Sequence, residues 1–75
     1  MLDRKTLARL LGGRVNRYGA IEAPFPGSQN RFEVRLNPGA PDGFTIFGVG
    51  AVERELAYEH VREKLRARAL SAPPS

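Results

Sequence analysis

The stretch from Arg31 to Phe47 reads RFEVRLNPGAPDGFTIF. In its first six residues, Phe32, Val34 and Leu36 fall on one side of an extended chain and Arg31, Glu33 and Arg35 on the other. That alternation is the signature of a strand with one face on a core and one in water. Asn37–Gly43, NPGAPDG, begins and ends in turn-forming pairs and reads as a loop. Phe44–Phe47, FTIF, is the returning strand, with Phe44 and Ile46 on one face and Thr45 and Phe47 on the other. An antiparallel pair with one apolar face is expected, and it must be covered from one side.

Upstream, Ala23–Ser28, APFPGS, is a proline-stiffened turn. Before it, Val15 and then Ala20 and Ile21 flank Asn16-Arg17-Tyr18-Gly19, a small hairpin in which glycine supplies a positive φ. Three or four short antiparallel strands result. Residues 3–11 read as a short helix. Asp3 is its N-cap, Leu2 and Leu7 have the spacing of a hydrophobic staple, and Leu7, Leu10 and Leu11 form its apolar stripe. Gly12 and Gly13 end it, and Arg4, Lys5 and Arg9 stay in water. Residues 52–70 form a longer helix with Leu56, Ala57, Val61 and Leu65 at helical spacing and Tyr58 extending the stripe. Its glutamates gather at the start and Arg62, Lys64, Arg66 and Arg68 toward the end, the order the helix dipole favours. Residues 71–75, SAPPS, are expected to be a disordered tail. The expected class is α+β, a small antiparallel sheet flanked by a short N-terminal and a longer C-terminal helix, in a single domain over residues 1–70.

The chain has 75 residues and no cysteine. A domain this small buries only about 60% of its unfolded surface, and disulfides and thiolate zinc sites are excluded. No stretch reaches the roughly 20 apolar residues of a membrane span, and MLDRKTLARLL is too charged for a secretion signal. A soluble, cytoplasmic protein is expected. The net charge is +4 and lies in one half: residues 1–35 carry seven basic and three acidic side chains, and residues 36–75 carry five of each. Such a basic segment attracts phosphate, which makes nucleic acid the first partner to consider.

Ala23-Pro24-Phe25-Pro26, Phe32-Glu33-Val34 and Ile46-Phe47-Gly48-Val49-Gly50, followed by a helix over residues 51–65, resemble the zinc-binding domain of bacterial replicative primases. That domain carries a Cys-Pro-Phe-His knuckle, a phenylalanine strand, Cys-Phe-Gly-Cys-Gly and a helix. Here the central Pro-Phe and the Phe-Gly-x-Gly remain, while Ala23, Pro26, Ile46 and Val49 stand in the ligand positions. LARLLGGRV and NPGAPDGF also resemble front segments of primase-type proteins of bacterial mobile elements, which often continue into a Toprim domain that these residues do not hold. The resemblance spans residues 6–66 and implies a metal-free, zinc-ribbon-like sheet in a protein of DNA replication.

Four ligands on two knuckles close a tetrahedron around structural zinc, which contributes about 10–16 kcal/mol in small finger peptides. Ile46 and Val49 offer about 1.5–3 kcal/mol each if buried; Ala23 and Pro26 add less. We therefore expect an apolar plug of Ala23, Pro26, Ile46 and Val49 where the metal would sit, with the helices or a partner supplying the remaining stabilisation.

Nothing in the sequence assembles a catalytic group. His60, the single histidine, reads as a solvent-facing helix residue without a nucleophile beside it. Glu55, Glu59 and Glu63 share a helix face and read as a solvated row offset by Arg62 and Arg66. GVGA lacks the Lys-Ser/Thr of a phosphate loop. A non-catalytic binding role remains, without cofactor or metal. The resemblance implies contact between the sheet and single-stranded DNA. Its carriers here are Arg31 and Arg35 on the outer strand face and Arg14 and Arg17 in the hairpin, since arginine both pairs with phosphate and stacks on bases. Tyr18 is a candidate stacking surface. Phe47 is another, although core packing is the preferred reading for it. The alternative is a protein-interaction module that docks on a primase- or helicase-type enzyme, or on another copy of itself, through the last helix.

Overall fold

The computed structural model describes residues 3–71, with side chains to Leu70. Leu2 of the expected staple and tail residues 72–75 lie outside the described residues. The order of elements is α1 (Arg4–Leu10), β1 (Arg14–Val15), β2 (Ile21–Pro24), β3 (Arg31–Leu36), β4 (Phe44–Phe47) and α2 (Ala51–Ser71). The four strands form one antiparallel meander in sequence order. This is the expected α+β arrangement, a short helix, a small sheet and a longer helix.

Local chemistry explains each boundary. The Thr6 amide donates to the Asp3 carboxylate at 2.7 Å and starts α1. Hydrogen bonds from the Thr6 side chain and amide hold the Asp3 carboxyl below its ordinary value. Gly12 turns the chain at φ +69°, and Gly13 lies so close to β2 that a Cβ there would run into the Glu22 carbonyl oxygen. Asn16 builds the first hairpin: its side-chain oxygen accepts from the amides of Tyr18 and Ala20 at 2.9 and 3.0 Å. Between β3 and β4, the Asn37 amide closes the loop on the Gly43 carbonyl at 2.8 Å.

Ile21, Ala23, Phe32, Val34, Phe44 and Ile46 line the inner face of the sheet. Leu7, Ala8 and Leu11 of α1 and Ala57 and Val61 of α2 complete one core with them, so both helices cover the same face. Full burial of each large aliphatic or aromatic side chain contributes about 1.5–3 kcal/mol. The α1 stripe is rotated from the expected one: Ala8 is buried, and Leu10 is only half-buried at its flank.

The inward line of α2 runs through Ala57 and Val61, with Tyr58 and Leu65 packed beside it. Leu56, expected in that line, is 51% exposed, and Val52 is 74% exposed. Leu56 and Tyr58 flank Ala57 on opposite sides of the helix, and Tyr58 takes the sheet side. Its ring stacks on Phe44 at 5.4 Å between centroids, and its hydroxyl accepts from the Ile46 amide at 3.2 Å. That bond covers part of the open edge of β4, where an unpaired amide would otherwise invite another strand. Arg62, over the Tyr58 ring, donates twice to Asp42 at 3.1 and 2.9 Å and ties the β3–β4 loop to the helix.

Candidate nucleic-acid interface

Residues paired directly across an antiparallel sheet share a face. On the face away from the helices, Arg14, Glu22, Glu33 and Phe47 therefore form one row across all four strands. Arg31 stands beside Pro24, and Arg35 beside Thr45, on that same face. Thus Arg14, Arg31 and Arg35, three of the four arginines expected to act together, share one solvent-facing surface, and all three are exposed.

Glu22 sits among them. Its carboxylate is 3.7 Å from the Arg14 guanidinium and 4.0 Å from that of Arg31, and it accepts from the Asn16 side-chain amide at 3.1 Å. Exposed pairs of this kind stabilise by at most about 1 kcal/mol, so the arginines remain available to a stronger anion. Arg17 lies at the hairpin tip, its guanidinium 5.7 Å from the centre of the Tyr18 ring. Arg14, Arg17, Tyr18 and Glu22 line a common shallow depression, which links the tip to the sheet. Tyr18 is 73% exposed. Phe47 is 43% exposed and belongs to the outer row, not the core. Strand alternation set its face, and alternation outranks the general preference of phenylalanine for burial.

The two knuckles occupy one end of the sheet. Strands β2 and β4 both run antiparallel to β3, so both finish where β3 begins. Gly27 and Gly48 turn the two knuckles at φ +73° and +84°, conformations that a residue with a Cβ adopts at a cost. The expected plug is only partly formed. Ala23 and Ile46 are buried and Val49 packs against the core, but Pro26 is exposed. Strand β3 also separates β2 from β4, and the register offsets their partners by two residues along β3, which places Ala23 and Ile46 about 12 Å apart. Phe32, paired with Ala23, and Val34, paired with Ile46, fill the space between them. Phe25 of the first knuckle meets Phe32 edge-on at 6.1 Å. Phe32, on the central strand β3, is one of the largest fully buried side chains and packs alongside Ala23 and Ile46 in the same core.

His60 is not the solvent-facing residue expected. It is half-buried, edge-on to Phe32 at 6.4 Å. Burial, aided by the Lys64 charge, pushes its pKa down. Glu55, Glu59 and Glu63 are exposed, as expected of a solvated row. Among the described residues no three His, Cys, Asp or Glu side chains gather as a metal site requires, and no helix is long and apolar enough to cross a membrane.

From sequence alone, Lys5 and Arg9 of α1 are simply residues in water. The fold sets both beside Arg14, around a depression that Ala8, Gly13 and Val15 complete. Only the Gly12–Gly13 turn brings these positions together, and no spacing in the sequence announces it. Compared with known proteins, the chain matches no family model, no curated protein and no solved structure.

Proposed function

We propose that this chain is a non-catalytic nucleic-acid-binding module whose ligand is single-stranded DNA. The observation that carries the proposal is the common face of Arg14, Arg31 and Arg35, open to solvent and bordered by an exposed aromatic ring, Phe47. Guanidinium groups hold the backbone, and exposed rings offer sequence-tolerant stacking to bases. Arg17 and Tyr18 extend the same chemistry to the hairpin tip. The likeness of both knuckles to the primase zinc-binding domain, whose sheet contacts template, supports the same ligand and a place in the replication of a bacterial mobile element. Binding is weak and electrostatic, without a metal or cofactor, in the cytoplasm. Fluorescence anisotropy with a labelled oligonucleotide at low salt tests it. Saturable binding that salt weakens is expected, and no binding at about 100 µM protein rejects the proposal.

A second reading rests on a separate observation. Val52 and Leu56, one helical turn apart on α2, are 74% and 51% exposed. They support self-association, or docking on a primase- or helicase-type protein, through that helix. Light scattering during size-exclusion chromatography distinguishes the two: a stable dimer without DNA affinity favours this second reading.

A further inference from the structure

The centre of the outer sheet face is acidic. Glu22 and Glu33, paired across β2 and β3, occupy the two middle positions of the cross-strand row, and Glu33 is not one of the carboxylates held by an ion pair within 4.0 Å. A phosphate chain laid over that centre would meet like charge. The cations instead concentrate at one margin, around the Gly12–Gly13 turn. On the α1 side of the turn, Lys5, Arg9 and Arg14 line one depression with no acidic residue among its lining. On the sheet side, Arg14 and Arg31 line a second, with Glu22 as its one carboxylate. Gly13 and Arg14 belong to both. The divide between them is low: Gly12 has no side chain, and the space beyond its Cα is open. Gly13 is pressed onto β2, where a side chain would not fit.

Resting on the nucleic-acid reading above, we infer that the sugar–phosphate backbone runs over this α1–β1 margin, held by Lys5, Arg9, Arg14 and Arg31, with the bases turned toward the outer face. Lys5 and Arg9 thereby become binding residues, and the two glycines provide the saddle across which the strand passes. A basic groove that tracks the backbone beside a stacking surface is a general solution for single-stranded nucleic acid.

The test is the salt dependence of binding to a labelled oligothymidylate. For single strands the slope of log affinity against log salt is about 0.7 per phosphate neutralised, so Lys5→Ala/Arg9→Ala is expected to lower it by about 1.4. Arg54→Ala/Arg66→Ala removes equal charge from exposed positions of α2 and is expected to leave the slope unchanged. Lys5 and Arg9 are exposed, and circular dichroism checks that the fold survives their loss. If the unsubstituted chain binds and Lys5→Ala/Arg9→Ala leaves the slope unmoved, or if both double variants lower it equally, the backbone path is overturned while the nucleic-acid reading stands. If the unsubstituted chain does not bind at all, both are overturned.

Discussion

The Ile46 amide, on the open edge of β4, donates to the Tyr58 hydroxyl at 3.2 Å and joins α2 to that edge of the sheet. Removing only the hydroxyl keeps the stack on Phe44 but leaves the amide without its partner. Tyr58→Phe is expected to destabilise the fold by about 0.5–1.5 kcal/mol, the net worth of a part-buried hydrogen bond. Tyr58→Ala, which also loses the ring, should cost more. Urea denaturation measures both, and a Tyr58→Phe curve superimposable on that of the unsubstituted chain would contradict the assignment.

Glu22 competes internally for the arginines that we assign to phosphate. Glu22→Gln keeps an acceptor for the Asn16 side-chain amide while removing the charge between Arg14 and Arg31. Oligonucleotide affinity should rise about two- to fivefold, the equivalent of an exposed ion pair. The thermal midpoint should barely move. Weaker binding by this variant would mean that Glu22 orients the arginines for the ligand and does not compete with it.

Acid should weaken the fold in two stages. Burial first, then the Lys64 charge, lowers the His60 pKa from its ordinary 6.5, with Glu63 opposing. Below 6.5 the unfolded chain therefore takes up the proton more readily, and stability falls until the pH passes the folded value. Hydrogen bonds from Arg62 hold Asp42 below its ordinary 3.8. Its contribution is complete above 3.8 and disappears as the pH drops through the folded value. Melting curves across this range should lose the upper stage in His60→Gln, and the lower stage should shrink in Asp42→Asn, with Asp3, held low by Thr6, supplying the rest. A midpoint indifferent to pH between neutrality and 3.8 would sink the first stage.

The strands were legible because their alternation is local: RFEVRL and FTIF each place their faces without reference to anything distant. The Asp3 cap and the Asn37–Gly43 loop were equally plain. Three features were not. Leu56 and Tyr58 compete to flank Ala57, and the choice is made by the β4 edge, 12 residues away in sequence. Pro26 belongs to a plug only by analogy of position, whereas the register puts β3 between the knuckles and fills the gap with Phe32 and Val34. The cation cluster at the Gly12–Gly13 turn joins residues of α1, β1 and β3, and only tertiary structure assembles it.

If core packing replaces a metal at the knuckles, a chelator should change nothing. Thermal unfolding with and without EDTA is expected to coincide, with no stoichiometric zinc in the purified chain by elemental analysis. Structural zinc contributes about 10–16 kcal/mol in small finger peptides. A large drop in midpoint on chelation would therefore overturn the metal-free account outright.

Amide chemical-shift mapping with a single-stranded oligonucleotide tests the central claim most directly. The account predicts graded shifts at Lys5, Arg9 and Gly12–Arg14 on the margin, and at Arg31, Arg35 and Phe47 on the outer face, that disappear as salt is raised. Shifts confined to Val52, Leu56 and their neighbours on α2, or none at saturating oligonucleotide, would contradict it.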